Sequence, residues 1–114
     1  VAAKRIFLGI DSHSNLAIAL EPTCDGVYDL LISEGARGSL VCRFAISEKA
    51  LEGVLQNQPV HVDCNAGQLD INSQGDQIAF QFRRESDEEP SSCALSVSSF
   101  LKVLRVAHNR AYAS

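Results

Sequence analysis

Apolar and polar positions alternate along most of this 114-residue chain, and twice the alternation gives way to a spacing of three and four. "RIFLGID" (5–11) sets Ile6, Leu8 and Ile10 on one face of a strand. "LAIALEP" (16–22) does the same for Leu16, Ile18 and Leu20, with Ala17 and Ala19 opposite and Pro22 at its end. "VYDLLISEG" (27–35) gives Tyr28, Leu30 and Ile32, and "SLVCRFAIS" (39–47) gives Leu40, Cys42, Phe44 and Ile46. The stretches between them, "SHSN", "TCDG" and "ARG", carry turn chemistry. The period then changes. Ser47 can cap a helix, Glu48 suits the positive end of its dipole, and Ala50, Leu51, Val54 and Leu55 recur at helical spacing. "QNQP" ends this short helix before Pro59.

The second half repeats the first. "VHVDC" (60–64) points Val60, Val62 and Cys64 inward, and "NAG" makes a tight hairpin turn into "QLDINSQ" with Leu69 and Ile71. "QIAFQFRR" (77–84) places Ile78, Phe80 and Phe82 inward, with Ala79, Gln81 and Arg83 outward. "CALSV" (93–97) turns Cys93, Leu95 and Val97 inward. A helix follows from about Ser98 to Ala111, striped by Phe100, Leu101, Leu104, Ala107 and Ala111. Cys42, Phe44, Ile46 and Ser47 align without gaps on Cys93, Leu95, Val97 and Ser98. Ile6, Leu8 and Ile10 match Val60, Val62 and Cys64, and Leu30 and Ile32 match Phe80 and Phe82. The expected fold is α+β: two ββββα repeats, about 4–58 and 59–113, of antiparallel curved sheets each covered by one helix. A half of about fifty residues is marginal by itself, so the halves are expected to share a single domain, 1–114.

Hydrophobic residues at 46% and charged residues at 21% fit a globular chain and exclude a disordered one. The apolar runs are too short for a membrane-spanning helix, and the N-terminus has no small-residue cleavage site. The chain contains no Met, which reads as processing, trimming or membership of a longer polypeptide. Cys24, Cys42, Cys64 and Cys93 are widely spaced with no CxxC pair; three read as inward, which gives small buried thiols in a reducing compartment, cytoplasmic or nuclear/nucleoid. Net charge is −4, and the segment "ESDEEP" alone supplies four acids, Glu85, Asp87, Glu88 and Glu89. The remainder is neutral, so the strongly basic footprint of a nucleic-acid binder is absent.

Candidate chemistry is sparse. "DSHS" pairs Asp11 with His13 and "HVDC" pairs His61 with Asp63, ligand types that suit a zinc-like ion, although turn polarity and an exposed strand face explain both. Alternation turns Cys64 and His61 to opposite faces, which argues against a nucleophile–base pair. "GARG" is too short for a phosphate loop. The expectation is a protein that is not an enzyme and holds no cofactor or metal. "RRESDEEPSS" (83–92) is a long, charge-segregated hairpin loop, suited to a basic partner, to repelling nucleic acid, or to keeping a sheet edge soluble. A basic helix carrying Lys102, Arg105, His108 and Arg110 follows it.

A doubled ββββα layout resembles two single-stranded nucleic-acid-binding families, the PUR repeat proteins and the Whirly-like proteins. The likeness to PUR repeats is clearest in "LLISEGARGSLVCRFAISEKALEGVL" (30–55), and the layout covers nearly the whole chain. The resemblance implies binding of single-stranded DNA or RNA across the exposed sheet face, and dimerisation. Such binding needs cations along the backbone path and aromatic faces for bases. Lys4, Arg5, Arg37, Arg43, Arg83 and Arg84 supply a modest basic path and Phe7 an outward ring; scattered solvated charges are the other reading of this set. The alternative function is a protein-interaction or assembly subunit on the same fold, with a homodimer or a protein partner. A continuous basic groove would favour the first, and an exposed apolar patch the second.

Overall fold

The computed structural model describes residues 6–24, 26–35, 38–65 and 67–112. Four strands, β1 (Ile6–Asp11), β2 (Leu16–Cys24), β3 (Val27–Glu34) and β4 (Leu40–Ser47), form one antiparallel sheet in chain order. Helix α1 (Glu48–Leu55) follows. Strands β5 (Val60–Cys64), β6 (Gly67–Gln74), β7 (Gln77–Arg84) and β8 (Ser91–Ser96) form a second sheet of the same order, followed by α2 (Val97–Tyr112).

Both strand-to-helix junctions are built alike. The Ser47 hydroxyl accepts from the Ala50 N–H at 3.1 Å, and the Ser96 hydroxyl accepts from the Ser99 N–H at 3.2 Å. The first N–H of each helix donates to the carbonyl of a preceding hairpin turn, Glu48 to Gly26 at 2.8 Å and Val97 to Asp76 at 2.9 Å. Asn57, with φ of 62°, turns the chain out of α1 in the left-handed conformation that commonly ends helices.

These junctions correct the expected alignment. Ser96, not Ser98, is the counterpart of Ser47, and Val97 opens the helix instead of closing the strand. Tyr28 pairs with Ile46 and Leu30 with Phe44, while Ile78 pairs with Leu95 and Phe80 with Cys93. Cys93 therefore occupies the place of Phe44, two residues away from the gapless match.

The strands differ from expectation where the first sheet is irregular. A bulge between Phe7 and Gly9 shifts the register so that Ile10 pairs with Ala17, and Ile10 turns outward. A second bulge between Ile32 and Ser33 does the same to Leu40, which pairs with Ser33. Pro22 does not end β2: it pairs with Tyr28 beside a third irregularity. Among the described residues the second sheet shows no register shift. Cys64, expected inward, is exposed at the hairpin turn, and Leu101 is exposed on α2; Ala107 and Ala111 of the expected stripe lie outside the described side chains.

One cluster of buried side chains joins both halves, from Ile18, Leu20, Leu30 and Phe44 of the first sheet to Leu69, Phe80 and Phe82 of the second. The helices do not divide the sheets between them. Helix α1 touches β4 and also β5 and β6; α2 touches β7 and β8 and also β1 and β2. Phe100 anchors α2, its ring 6.2 Å from that of Phe80. Burial of this shared face is the main stabilising term, at about 25 cal/mol per Å² of apolar surface.

Strands β1 and β8 meet along a seam. A Cβ on Gly9 would lie 3.1 Å from Leu95, so glycine permits this approach. Asp11 fastens the seam: its carboxylate accepts from the Ala94 N–H at 2.8 Å and from the His13 N–H at 2.8 Å. Partial burial works against the charged form, yet these backbone donors hold the Asp11 carboxyl below its usual range. Asp11→Asn is therefore expected to lower stability by about 1–2 kcal/mol at neutral pH. A depressed carboxylate stabilises the fold above its unfolded pKa, and that stability is lost as pH falls through the folded pKa. Thermal melts of the two proteins should converge in acid; a constant difference at every pH would remove Asp11 from this role.

Candidate functional site

Register fixes which outward side chains share a row across each sheet. In the first sheet the rows are Phe7·Ala19·Leu31·Arg43, Ile10·Ala17·Ser33·Leu40 and Glu21·Asp29·Ala45. In the second they are His61·Asp70·Gln81·Ser92, Asp63·Gln68·Arg83 and Asn72·Ala79·Ala94. The two faces have the same build and opposite chemistry. The row that reads Phe, Ala, Leu, Arg in the first repeat reads His, Asp, Gln, Ser at the equivalent places in the second.

The first face is apolar. Phe7 is 49% exposed, Ile10 44% and Leu40 47%. They are three of the five exposed large hydrophobic residues among the described ones. Ala17, Ala19 and Leu31 between them face the same side but are buried, and none of the three is part of the central core, so the exposed apolar side chains stand on the edge strands β1 and β4. Arg43 lies in the same row as Phe7 and pairs with Asp29 at 3.5 Å, so its charge is answered within the face.

The second face is polar and grooved. A hollow of about 470 Å³ lies at the end of β7 between Asp63, Gln68, Arg83 and Arg84. It adjoins one of about 200 Å³ through Gln68 and Arg83, which in turn adjoins one of about 320 Å³ through Asp70 and Gln81. The groove carries mixed charge. His61 pairs with Asp70 across the strands at 2.6 Å, not with Asp63 beside it, and the hydrogen bond to Asp70 raises the imidazole above its ordinary pKa.

The acidic loop answers its own arginines. Asp87 takes two bonds from the Arg84 guanidinium, at 3.0 and 3.1 Å, and one from the Arg84 N–H at 3.0 Å. The Arg83 Nε donates to the Asp87 carbonyl at 3.1 Å. This bidentate pair raises Arg84 and holds Asp87 below the usual carboxylate range.

The expected basic path is thus divided. Phe7 and Arg43 share one row of the first face, whereas Arg83 and Arg84 lie on the second sheet. Lys4, Arg5 and Arg37 lie outside the described residues. Cys42 and Cys93 are buried, which pushes both thiols up to about 12 and leaves them unsuited to nucleophilic work at neutral pH. Asp11 and His13 form a turn in which Asp11 bonds backbone N–H groups, and among the described residues no group of three or more His, Cys, Asp and Glu side chains comes together for a metal. Among the described residues no helix is long and apolar enough to cross a membrane.

Sequence reasoning missed Ile10 and Leu40 because strict alternation turned them inward. Gly9 inside a strand was the available signal for the first bulge. Asp87 was visible only as one acid among four. No family model, no curated protein and no solved structure matches the chain.

Proposed function

We propose that the protein is a non-catalytic interaction module that assembles with a protein surface through the outward face of its first sheet. The observation that carries this reading is the placement of Phe7, Ile10 and Leu40 on one face, two of them turned there by β-bulges. Large apolar side chains grouped on a surface mark interaction sites more often than chance exposure does. The second repeat serves as an internal comparison: the same scaffold accepts polar side chains at the matching row, so folding does not demand an apolar one. The test is affinity capture with the immobilised chain, run beside the double variant Ile10→Lys, Leu40→Lys. A partner retained by the wild type and lost by the variant supports the reading; equal retention would reject this face.

A second reading, single-stranded DNA or RNA as ligand, has one favourable observation: Phe7 and Arg43 stand in one cross-strand row, a ring for a base and a cation for a phosphate. It draws further on the resemblance of the doubled layout to the PUR and Whirly-like proteins. Asp87→Asn separates it from the first. Removing this carboxylate frees Arg84, while Arg83 keeps its bond to the Asp87 backbone carbonyl, so any oligonucleotide affinity should rise by a few-fold at low salt, about one phosphate contact's worth, and fall again as salt is added. Titration of wild type and variant at two salt concentrations decides; no binding by either at low salt sinks the nucleic-acid reading.

A further inference from the structure

We infer that Ser86 is a phosphorylation site, the acceptor for a serine kinase that reads acidic residues after its target. The inference is independent of the first-sheet face and concerns the loop between β7 and β8.

Sequence and fold select the same serine. A carboxylate three places after a serine occurs twice in the chain, with Asp76 after Ser73 and Glu89 after Ser86. Ser73 lies within β6, half-buried and paired with Ile78 of β7. A kinase would have to open the hairpin to reach it. Ser86 lies in the six-residue loop 85–90, the longest link between consecutive strands among the described residues. The Asp87 N–H donates to the Arg84 carbonyl at 2.9 Å, which closes a turn over 84–87 with Ser86 at its third place. Ser86 is exposed, as are Glu85, Glu88, Glu89 and Pro90. Exposed loop tips are where the active site of another protein gains access to a folded chain.

The loop offers two signals, and the structure separates them. Arg83 and Arg84 precede Ser86 by three and two places, which would suit a kinase with acidic pockets for arginine. Both belong to β7, where they pair with Gln68 and Gly67 of β6. The Arg84 guanidinium is held by the Asp87 carboxylate at 3.0 and 3.1 Å, and the Arg83 Nε by the Asp87 carbonyl at 3.1 Å. The acids that follow are placed differently. Glu88 and Glu89 stand in solvent with no bond or ion pair among the described residues. A basic substrate groove can take up Glu88 and Glu89 without breaking a contact of the fold.

The transfer balances with magnesium ATP as donor. The bond from Ser86 Oγ to the γ-phosphorus forms as the bond from that phosphorus to the β,γ-bridging oxygen breaks. ADP leaves, and the hydroxyl proton passes to a carboxylate base of the kinase. The product carries a charge of about −1.5 to −2 at pH 7, one residue from Asp87 and two from Arg84. It competes with Asp87 for the guanidinium and repels the Asp87 carboxylate. It also changes the adjoining hollow, where Arg83 and Arg84 balance Asp63 and Glu85. The phosphate tips that balance to net negative, so modification turns anionic ligands away from the second face.

Incubation of the full chain with a purified acid-directed serine kinase and magnesium ATP tests this, with the modified residue located by mass spectrometry. A single phosphate is expected, on Ser86, and Ser86→Ala should abolish it. The double variant Glu88→Gln, Glu89→Gln should slow transfer by about tenfold or more, whereas Arg84→Gln should not slow it. Ser86, Glu88 and Glu89 are exposed, so melting temperatures of their variants should stay near the wild type. An arginine-directed kinase run in parallel should reach about a tenth of the rate or less, each kinase being scaled to its own peptide substrate. In the phosphorylated protein the Asp87 carboxyl, followed by NMR against pH, should titrate higher than in the unmodified one. No phosphate on Ser86, preferential transfer to Ser73, a faster arginine-directed kinase, or an Asp87 titration that does not move would each overturn the proposal.

Discussion

Phe100→Ala is expected to lower the unfolding free energy by about 3–5 kcal/mol. Phe100 is fully buried, and its ring lies 6.2 Å from that of Phe80 in the tilted arrangement that aromatic pairs favour. It anchors the helix that touches β1 and β2 of the first sheet as well as β7 and β8 of the second. Truncation therefore leaves a cavity where the two halves share their core, and both sheets lose packing. Denaturant unfolding should show one transition with a lower midpoint and an unchanged slope. Two separated transitions would mean that the halves unfold independently and that Phe100 does not couple them. Phe100→Leu, which keeps most of the volume, should recover a large part of the loss.

Gly67→Ala is expected to cost about 2–3 kcal/mol for backbone reasons alone. Gly67 opens β6 with φ of 141°, a conformation that an L side chain rarely adopts. A Cβ there would lie 2.1 Å from the Arg83 carbonyl oxygen and 2.8 Å from the Arg84 Cα, so β7 would have to move. The displaced residues are the two that hold Asp87. The substitution should thus loosen the acidic loop as well as destabilise the fold, read as faster amide exchange at Asp87 with the first sheet unchanged. A melting temperature equal to that of the wild type would show that the hairpin adapts freely. Gly75→Ala is the matched comparison: its φ is also positive, at 65°, but nothing lies near its Cβ, so its cost should be confined to the backbone.

Much of this fold was legible in the sequence because alternation is a direct consequence of strand geometry. Ile78, Phe80 and Phe82 were read as core and are buried, as are Leu30, Ile32, Phe44 and Ile46. The doubled order of four strands and a helix was legible for the same reason. The bulges were not. A bulge inserts one residue into a ladder, and every side chain beyond it changes face, so the period-two argument fails for Ile10 and Leu40 at the places where the surface becomes unusual. The sharing of the helices was equally hidden. Helical periodicity identifies an apolar stripe but carries no information about which sheet receives it. The candidate site suffered most, since Arg83 and Arg84 read as free cations until a loop placed Asp87 against them.

The crossed helices also set the order in which this chain can protect itself during synthesis. Strands β1 and β2 are made well before α2, which packs on them. Until Phe100 and Leu104 have left the ribosome, the first sheet lacks part of the cover it has in the finished protein, and Ile18 and Leu20 depend on contacts still to come. Chains with such distant partners expose apolar surface for longer during folding. A ribosome paused within the second repeat would therefore hold a nascent chain that chaperones bind, and release from them should coincide with the emergence of α2.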